Sequence, residues 1–146
     1  GRVRPLALDS AFSPLIALGI RQPWVELILR GHKTIEVRST NTQQRGTILI
    51  YASKTLADHP AALTAIERHE LDVETLPRGL VVGTVELFGS RPAESADHEA
   101  ACVPADFLAG QFAWQFRNAA RWTDPLPPRF LPYGTWFYPF QRRHAV

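Results

Sequence analysis

Ile20-Arg21-Gln22-Pro23-Trp24 and, after a short apolar-periodic segment, Gly31-His32-Lys33-Thr34-Ile35-Glu36-Val37-Arg38-Ser39 carry the most informative reading of this 146-residue chain. Pro23 suits the first position of a helix, where a missing N–H is harmless. Trp24, Leu27 and Ile28 then recur at helical spacing, and Gly31 is placed to end the helix in a left-handed conformation. Thr34 to Arg38 alternates polar and apolar. This predicts a strand with Thr34, Glu36 and Arg38 on one face and Ile35 and Val37 turned to the core. One short helix and the strand after it thus gather an aromatic, two arginines, a lysine and a carboxylate. That mix suits an anionic, ring-bearing ligand such as a nucleotide.

Working outward, Pro14 to Ile20 reads as a strand leading into the helix, and Gly46 to Ala52 as another, separated by the hydrophilic loop Asn41 to Arg45. Pro60 opens a second helix whose apolar face is expected at Ala62, Leu63 and Ile66. Leu80 to Phe88 is a strong strand, with Gly83 marking a bulge or a close backbone approach. Residues 91–106 are acidic and poor in large apolar side chains, which predicts a surface excursion with a short helix. Phe112 to Arg117 reads as a strand, Asp124 to Pro128 as an extended connector and Thr135 to Phe140 as a closing strand. Many short strands, two to three helices and proline-rich connectors predict an α+β fold, a small β-barrel with flanking helices. Ten of the fifteen aromatics fall between Phe112 and Phe140. Most are expected to fill the barrel core; Tyr133 or Trp136, near loops, are candidates for stacking on a base.

The length fits one domain spanning 1–146 with a single sizeable core, with 1–12 and 141–146 as flexible tails. The chain opens on Gly1 rather than Met, so the native protein is expected to be longer. A lone Cys102 excludes an internal disulfide and any cysteine cluster for zinc, which makes an intracellular, cytoplasmic setting the default. The five histidines show no paired metal-ligand spacing, so no metal and no cofactor is expected. The sequence contains no apolar run long enough to suggest a membrane span. The net charge of +2 hides an asymmetry: residues 1–45 carry seven basic and three acidic side chains, residues 46–107 four and ten, and residues 108–146 five and one. If the two ends meet, the protein has a basic face of the kind phosphate backbones demand.

Arg21 precedes the helix start, where free N–H groups and the dipole favour an anion. Lys33 and Arg38 are expected to face solvent-filled space, and Glu36 either orients Arg38 or reads an amino group on a base. Taken alone, Glu36 and Arg38 could equally be a half-exposed ion pair of little consequence. Joined with Gln22, Ser39, Arg45, Ser53 and Lys54 they make a candidate nucleic-acid site.

These residues resemble a known family. Ile20-Arg21-Gln22-Pro23-Trp24, then Gly31-x-Lys33-x-x-Glu36-x-Arg38-Ser39, then Thr42-x-x-Arg45-Gly46-x-Ile48-x-Ile50-x-Ala52 are similar to the signature of the ASCH domain, the activating signal cointegrator 1 homology region. The resemblance is close over residues 17–54 and looser through Gly79-x-x-x-Gly83-x-Val85-Glu86-Leu87 to Trp114. It implies a PUA-like β-barrel and a cleft between the first helix and the barrel, lined by Lys33, Glu36 and Arg38, with Gly31 permitting the turn. It also implies nucleic acid or a modified nucleoside as ligand. Two departures stand out. Many members carry an aromatic just after Arg-Ser, where this chain has Thr40. Some members hydrolyse acetylated cytidine with a lysine, a threonine and a glutamate; Lys33 matches the lysine, Glu36 occupies the threonine's place, and Glu86 is the nearest counterpart of the second carboxylate.

Three functions follow. The favoured one is a module gripping RNA or DNA, single strands or ends, with Lys33, Arg38, Arg45 and Lys54 on phosphates and an aromatic such as Tyr133 on a base. The second is a hydrolase, an amidohydrolase or ribonuclease, with Lys33 and either Glu36 or Glu86 as acid–base groups. The third is a coregulator-type domain whose acidic middle segment binds a protein partner. Oligomeric state is not legible.

Overall fold

The chain runs through β1 (Arg2–Val3), β2 (Ala17–Ile20), α1 (Trp24–Leu29), β3 (Ile35–Arg38), β4 (Gly46–Ala52), α2 (Pro60–Arg68), β5 (Leu80–Pro92), α3 (His98–Ala101), β6 (Phe112–Leu126) and β7 (Trp136–Phe137), with 3-10 turns at Val73–Thr75, Ser95–Asp97 and Ala105–Leu108. This computed structural model describes residues 11–141 and the backbone of Arg2–Val3. The two tails expected at the chain ends fall largely outside the described residues.

The strands form one sheet in the order β1-β6-β5-β4-β2-β7, with β3 also on β6. β4, β5 and β6 are antiparallel neighbours, and β2 lies parallel to β4. Gly46 to Ala52 reads as predicted, and Ile48 through Ala52 are all buried because β4 is covered on both faces. One face meets α1 and α2 through Leu18, Ile20, Ile48 and Ile50; the other packs Ala17, Leu49 and Tyr51 on Trp122, Phe137 and Phe140.

β5 and β6 are long strands with three register shifts between them, and a fourth shift lies between β4 and β5. Each bulge adds local twist and bends the sheet, curling it into a half-barrel. Gly83 marks such a bend: a Cβ there would collide with the Ala120 carbonyl oxygen. Among the described residues no ladder joins β3 to β2 or β7. That seam is crossed by side chains instead: Arg38 Nη2 donates to Gly19 O at 3.0 Å, and Trp114 stacks on Trp136 at 5.8 Å.

Several expected boundaries move. β5 continues to Pro92, and β6 absorbs the first part of the proline-rich connector, because Val81 pairs with Leu126. The closing strand shrinks to two residues. In α2 the buried residues are Ala61, Ala62 and Ala65, while Leu63 is exposed. The acidic excursion does contain a short helix, but Ala101 from it, with Leu108 just beyond, is buried against Ile35 and Ala113.

Candidate functional site

The helix start is more completely engaged than its sequence suggests. Gln22 is fully buried: its Nε2 donates to Pro77 O at 3.0 Å and its Oε1 accepts the Glu26 N–H at 2.9 Å. The Trp24 N–H donates to Arg21 O. Gln22 therefore caps α1 from within and ties it to the loop before β5, and it offers no amide to a ligand. The helix is then clamped to the sheet by Glu26, buried on its inner side. Arg121 donates to both its carboxylate oxygens at 2.9 and 2.8 Å, and Arg30 adds a third bond at 2.7 Å. Burial alone would raise the Glu26 pKa, but the two guanidiniums outweigh it and hold the carboxyl below its usual range. Gly31, at φ +82°, turns the chain, and the N–H groups of His32 and Lys33 both donate to Leu27 O.

Past that turn, three charged side chains form a chain of contacts. Lys33 is buried, contrary to the expectation of a solvent-facing cation. Its Nζ donates to Ala101 O at 2.6 Å, lies 3.7 Å from Glu36 Oε1, and sits 4.8 Å from the Trp24 ring centre. Burial pushes its pKa down, and the Glu36 carboxylate acts against that shift. The other oxygen of Glu36 accepts two bonds from Arg38, from Nε at 2.9 Å and Nη2 at 2.7 Å. Arg38 is only partly buried; its guanidinium lies over Trp114 at 5.5 Å. Trp114 Nε1 in turn donates to Thr40 O at 3.0 Å, so the ring absent at position 40 is replaced, from β6, by one beneath Arg38. Thus a buried ammonium holds a carboxylate, which orients a guanidinium at the barrel seam.

Two neighbouring cavities open on this chain of contacts. The first, of about 480 Å³, is lined by Gly19, Arg21, Trp24, Glu36, Arg38, Tyr51, Ser53, Ala57, His59, Pro132, Gly134 and Thr135. The second, of about 340 Å³, is lined by Trp24, Lys33, Glu36, Val37, His59, Val103, Phe107 and Gln111. Trp24, Glu36 and His59 belong to both and form the sill between them. The structure therefore brings together Arg21, Lys33, Glu36, Arg38 and Ser53.

Other sequence candidates lie elsewhere. Ser39 is exposed beyond Arg38. Arg45 turns its Nη1 onto Thr42 O and Gln44 O of its own loop, and the stem of Lys54 lies along Gly79. Glu86 does not join Lys33: it is on the outer face of β5, bound by Arg117 at 2.8 Å and Asn118 at 3.0 Å, which lower its pKa. Tyr133 is exposed and meets Phe137 edge-on, between cavity-lining Pro132 and Gly134. The expected basic face is also thinner than the charge count implies, since Arg117 and Arg121 are paired with Glu86 and Glu26.

Sequence reasoning missed His59, Phe107, Gln111, Tyr51 and Thr135. Pro60 at a helix start would have placed His59 at its N-terminal boundary, but nothing local ties it to Trp24, on which its ring stacks at 5.8 Å. Among the described residues no group of three or more His, Cys, Asp or Glu is arranged to hold a metal ion, and no helix is long and apolar enough to cross a membrane.

No curated protein shows significant sequence similarity to the chain. The fold is similar to the crystal structure of ASCH from Zymomonas mobilis, with a TM-score of 0.55 over 84% of this chain and 85% of that one, at 14% identity. Two single-residue mutants of that Zymomonas mobilis protein are similar at 13% identity: one at TM-score 0.54 over 84% of this chain and 88% of the mutant, the other at 0.55 over 87% and 89%. At such identities the likeness shows the fold. A family profile described as the ASCH domain matches residues 18–126, which include all of the Lys33–Glu36–Arg38 chain and every residue lining the smaller cavity, and the protein therefore belongs to the ASCH domain family.

Proposed function

We propose that this ASCH domain binds nucleic acid, RNA or DNA presented as a single strand or an end, with a phosphate held at Arg38 and Arg21 in the larger cavity. The observation that carries this reading is the fixed orientation of Arg38. Glu36 and Gly19 O take its Nε and Nη2, and Trp114 lies beneath its plane. Nη1 takes no part in those bonds. A guanidinium fixed before the ligand arrives loses little further freedom on binding, and its planar fork suits phosphate oxygens. Arg21 lines the same cavity, and Ser53 adds a hydroxyl. Lys33 acts here through Glu36 and makes no phosphate contact itself. Ser39, Arg45 and Lys54, outside both cavities, are at most secondary phosphate contacts in this reading.

Fluorescence anisotropy with short single- and double-stranded RNA and DNA tests the proposal. Arg38→Ala should lose about tenfold or more in affinity, the scale of a charge-assisted contact, while Arg117→Ala, on the outer face, should bind as wild type. Equal losses in both variants, or none in either, would refute a site in this cleft.

A second reading has its own support. Lys33 and Glu36 line the smaller cavity together, and a lysine whose pKa is pushed down by burial is the kind of group that performs acid–base chemistry. Hydrolysis of a modified nucleoside or of RNA would then use this pair without Glu86. Turnover of an acylated nucleoside or of oligoribonucleotide, abolished in Lys33→Met, would favour this reading.

A further inference from the structure

A third cavity, of about 590 Å³ and larger than either half of the cleft, takes its walls from α2 and α3. Ala61, Thr64, Ala65 and Arg68 recur at helical spacing, so one face of α2 supplies one wall. His98 and Glu99 of α3, with Cys102 and Val103 after it, supply the other. His32, in the turn after α1, and His69, the residue that ends α2, meet there with their ring centres 5.1 Å apart. Three imidazoles and a guanidinium thus line one space, and Glu99 is the single carboxylate among the lining residues. None of these five side chains makes a hydrogen bond or ion pair within the described residues. The buried part of the lining is small and apolar, with Ala61 and Ala65 buried and Val103 half-buried.

The local field has one sign. His69 is held below its usual pKa range first by burial and then by His32, Arg68 and Arg30, with no carboxylate among the causes. Arg30 of α1 is already paired with Glu26. The Arg68 charge reaches both walls, since it also acts against the burial that raises the Cys102 thiol. With the imidazoles neutral, Arg68 and Glu99 cancel; each imidazole that takes a proton then adds one positive charge. The space therefore turns cationic as pH falls through the histidine range.

We infer that this cavity is a second anion site, taking the phosphate group of a phosphomonoester or of a nucleic-acid strand, with Arg68 as the fork and His32 and His69 as donors that gain protons from solvent as it binds. A tetrahedral phosphate has oxygens enough for the fork and both imidazoles, and a phosphomonoester carries nearly two charges near neutrality. The volume exceeds that of a phosphate alone, and the Ala61, Ala65 and Val103 surface receives the body attached to it. The site shares no residue with the cavity at Arg38 and stands whether or not that reading does. An anion beside His69 reverses the field that keeps the ring neutral and raises its pKa. By reciprocity its own affinity rises as pH falls, levelling off once both imidazoles are protonated in the free protein.

The test follows the histidine ring signals by NMR in wild type, Arg68→Gln and Arg38→Ala, with sulfate, adenosine 5′-monophosphate and an eight-residue single-stranded RNA as probes. Arg68 is exposed, so its replacement leaves the fold intact. Sulfate keeps one charge from about pH 8 to about pH 6, so a pH dependence with it belongs to the protein. It should shift the His32 and His69 signals of wild type and bind on the order of tenfold more tightly at the lower pH. Arg38→Ala should respond alike and Arg68→Gln should not. RNA that moves the same signals and binds Arg68→Gln more weakly assigns the phosphate to a strand; the mononucleotide moving them where RNA does not assigns it to a free phosphomonoester. Sulfate moving them when neither organic probe does overturns the phosphate assignment. No shift with sulfate, shifts that survive in Arg68→Gln, or an affinity flat with pH overturns the site altogether and leaves the Arg38 reading standing.

Discussion

Replacing Lys33 separates a buried strut from a surface contact. The side chain is 2% exposed and holds three interactions at once: a charge-assisted bond to Ala101 O, the Glu36 carboxylate at 3.7 Å and the face of Trp24 at 4.8 Å. Removing the charged bond costs about 1.5–3 kcal/mol. The lost cation–ring contact adds about 0.5–2 kcal/mol. Relief from holding an ammonium out of water offsets part of this, because a buried ion pair is costly to desolvate. The net expectation for Lys33→Ala is a loss of about 2–4 kcal/mol, and Lys33→Met, which refills the stem, should lose less. Urea denaturation followed by tryptophan fluorescence reads both, as a lowered midpoint at unchanged slope. Because Glu36 loses its anchor, ligand affinity should fall too, although Lys33 touches no ligand. Stability within about 0.5 kcal/mol of wild type together with lost binding would refute the strut and restore the surface cation that the sequence alone suggests.

Two further outcomes follow from the frame around the site. Glu26 has a folded-state pKa below the ordinary value of 4.5, so its contribution is fully present above that value and is lost as pH falls through the folded pKa. Glu26→Gln should cost about 3 kcal/mol near neutrality by stranding Arg121, and the gap to wild type should narrow between pH 5 and pH 3; a gap constant with pH in thermal melts would contradict it. Gly83→Ala drives a Cβ into the Ala120 carbonyl oxygen, where backbone rather than a flexible side chain must yield. It should destabilise by about 2 kcal/mol or more, and an unchanged melting temperature would show that the two strands do not approach as described.

The parts legible in the sequence were those with a local cause. Gly31 ends α1 because only a residue free to take positive φ turns there, and β4 announces itself by an unbroken apolar run. Gly83 signalled the close approach of β6 from its own strand alone. What was not legible has a distant cause. Lys33 reads as a solvated cation at a strand entry until α3, 68 residues on, lays Ala101 over it. Glu26 looks like an ordinary first-turn carboxylate, and its partner Arg121 is 95 residues away. Leu63 scores as helix core by spacing, yet the small Ala61, Ala62 and Ala65 take the inner face, where α2 packs close. At the site, the motif located Arg21, Glu36 and Arg38, whereas His59, Phe107 and Gln111 come from other elements and share no pattern with it.

The central claim is that Arg38, held by Glu36, presents the charge that receives a phosphate. The most direct measurement is the salt dependence of single-stranded RNA binding for wild type beside Arg38→Ala. Loss of one phosphate contact should lower the slope of log affinity against log salt by about 0.7, along with the affinity itself. An unchanged slope and affinity in a variant that folds as wild type would contradict it.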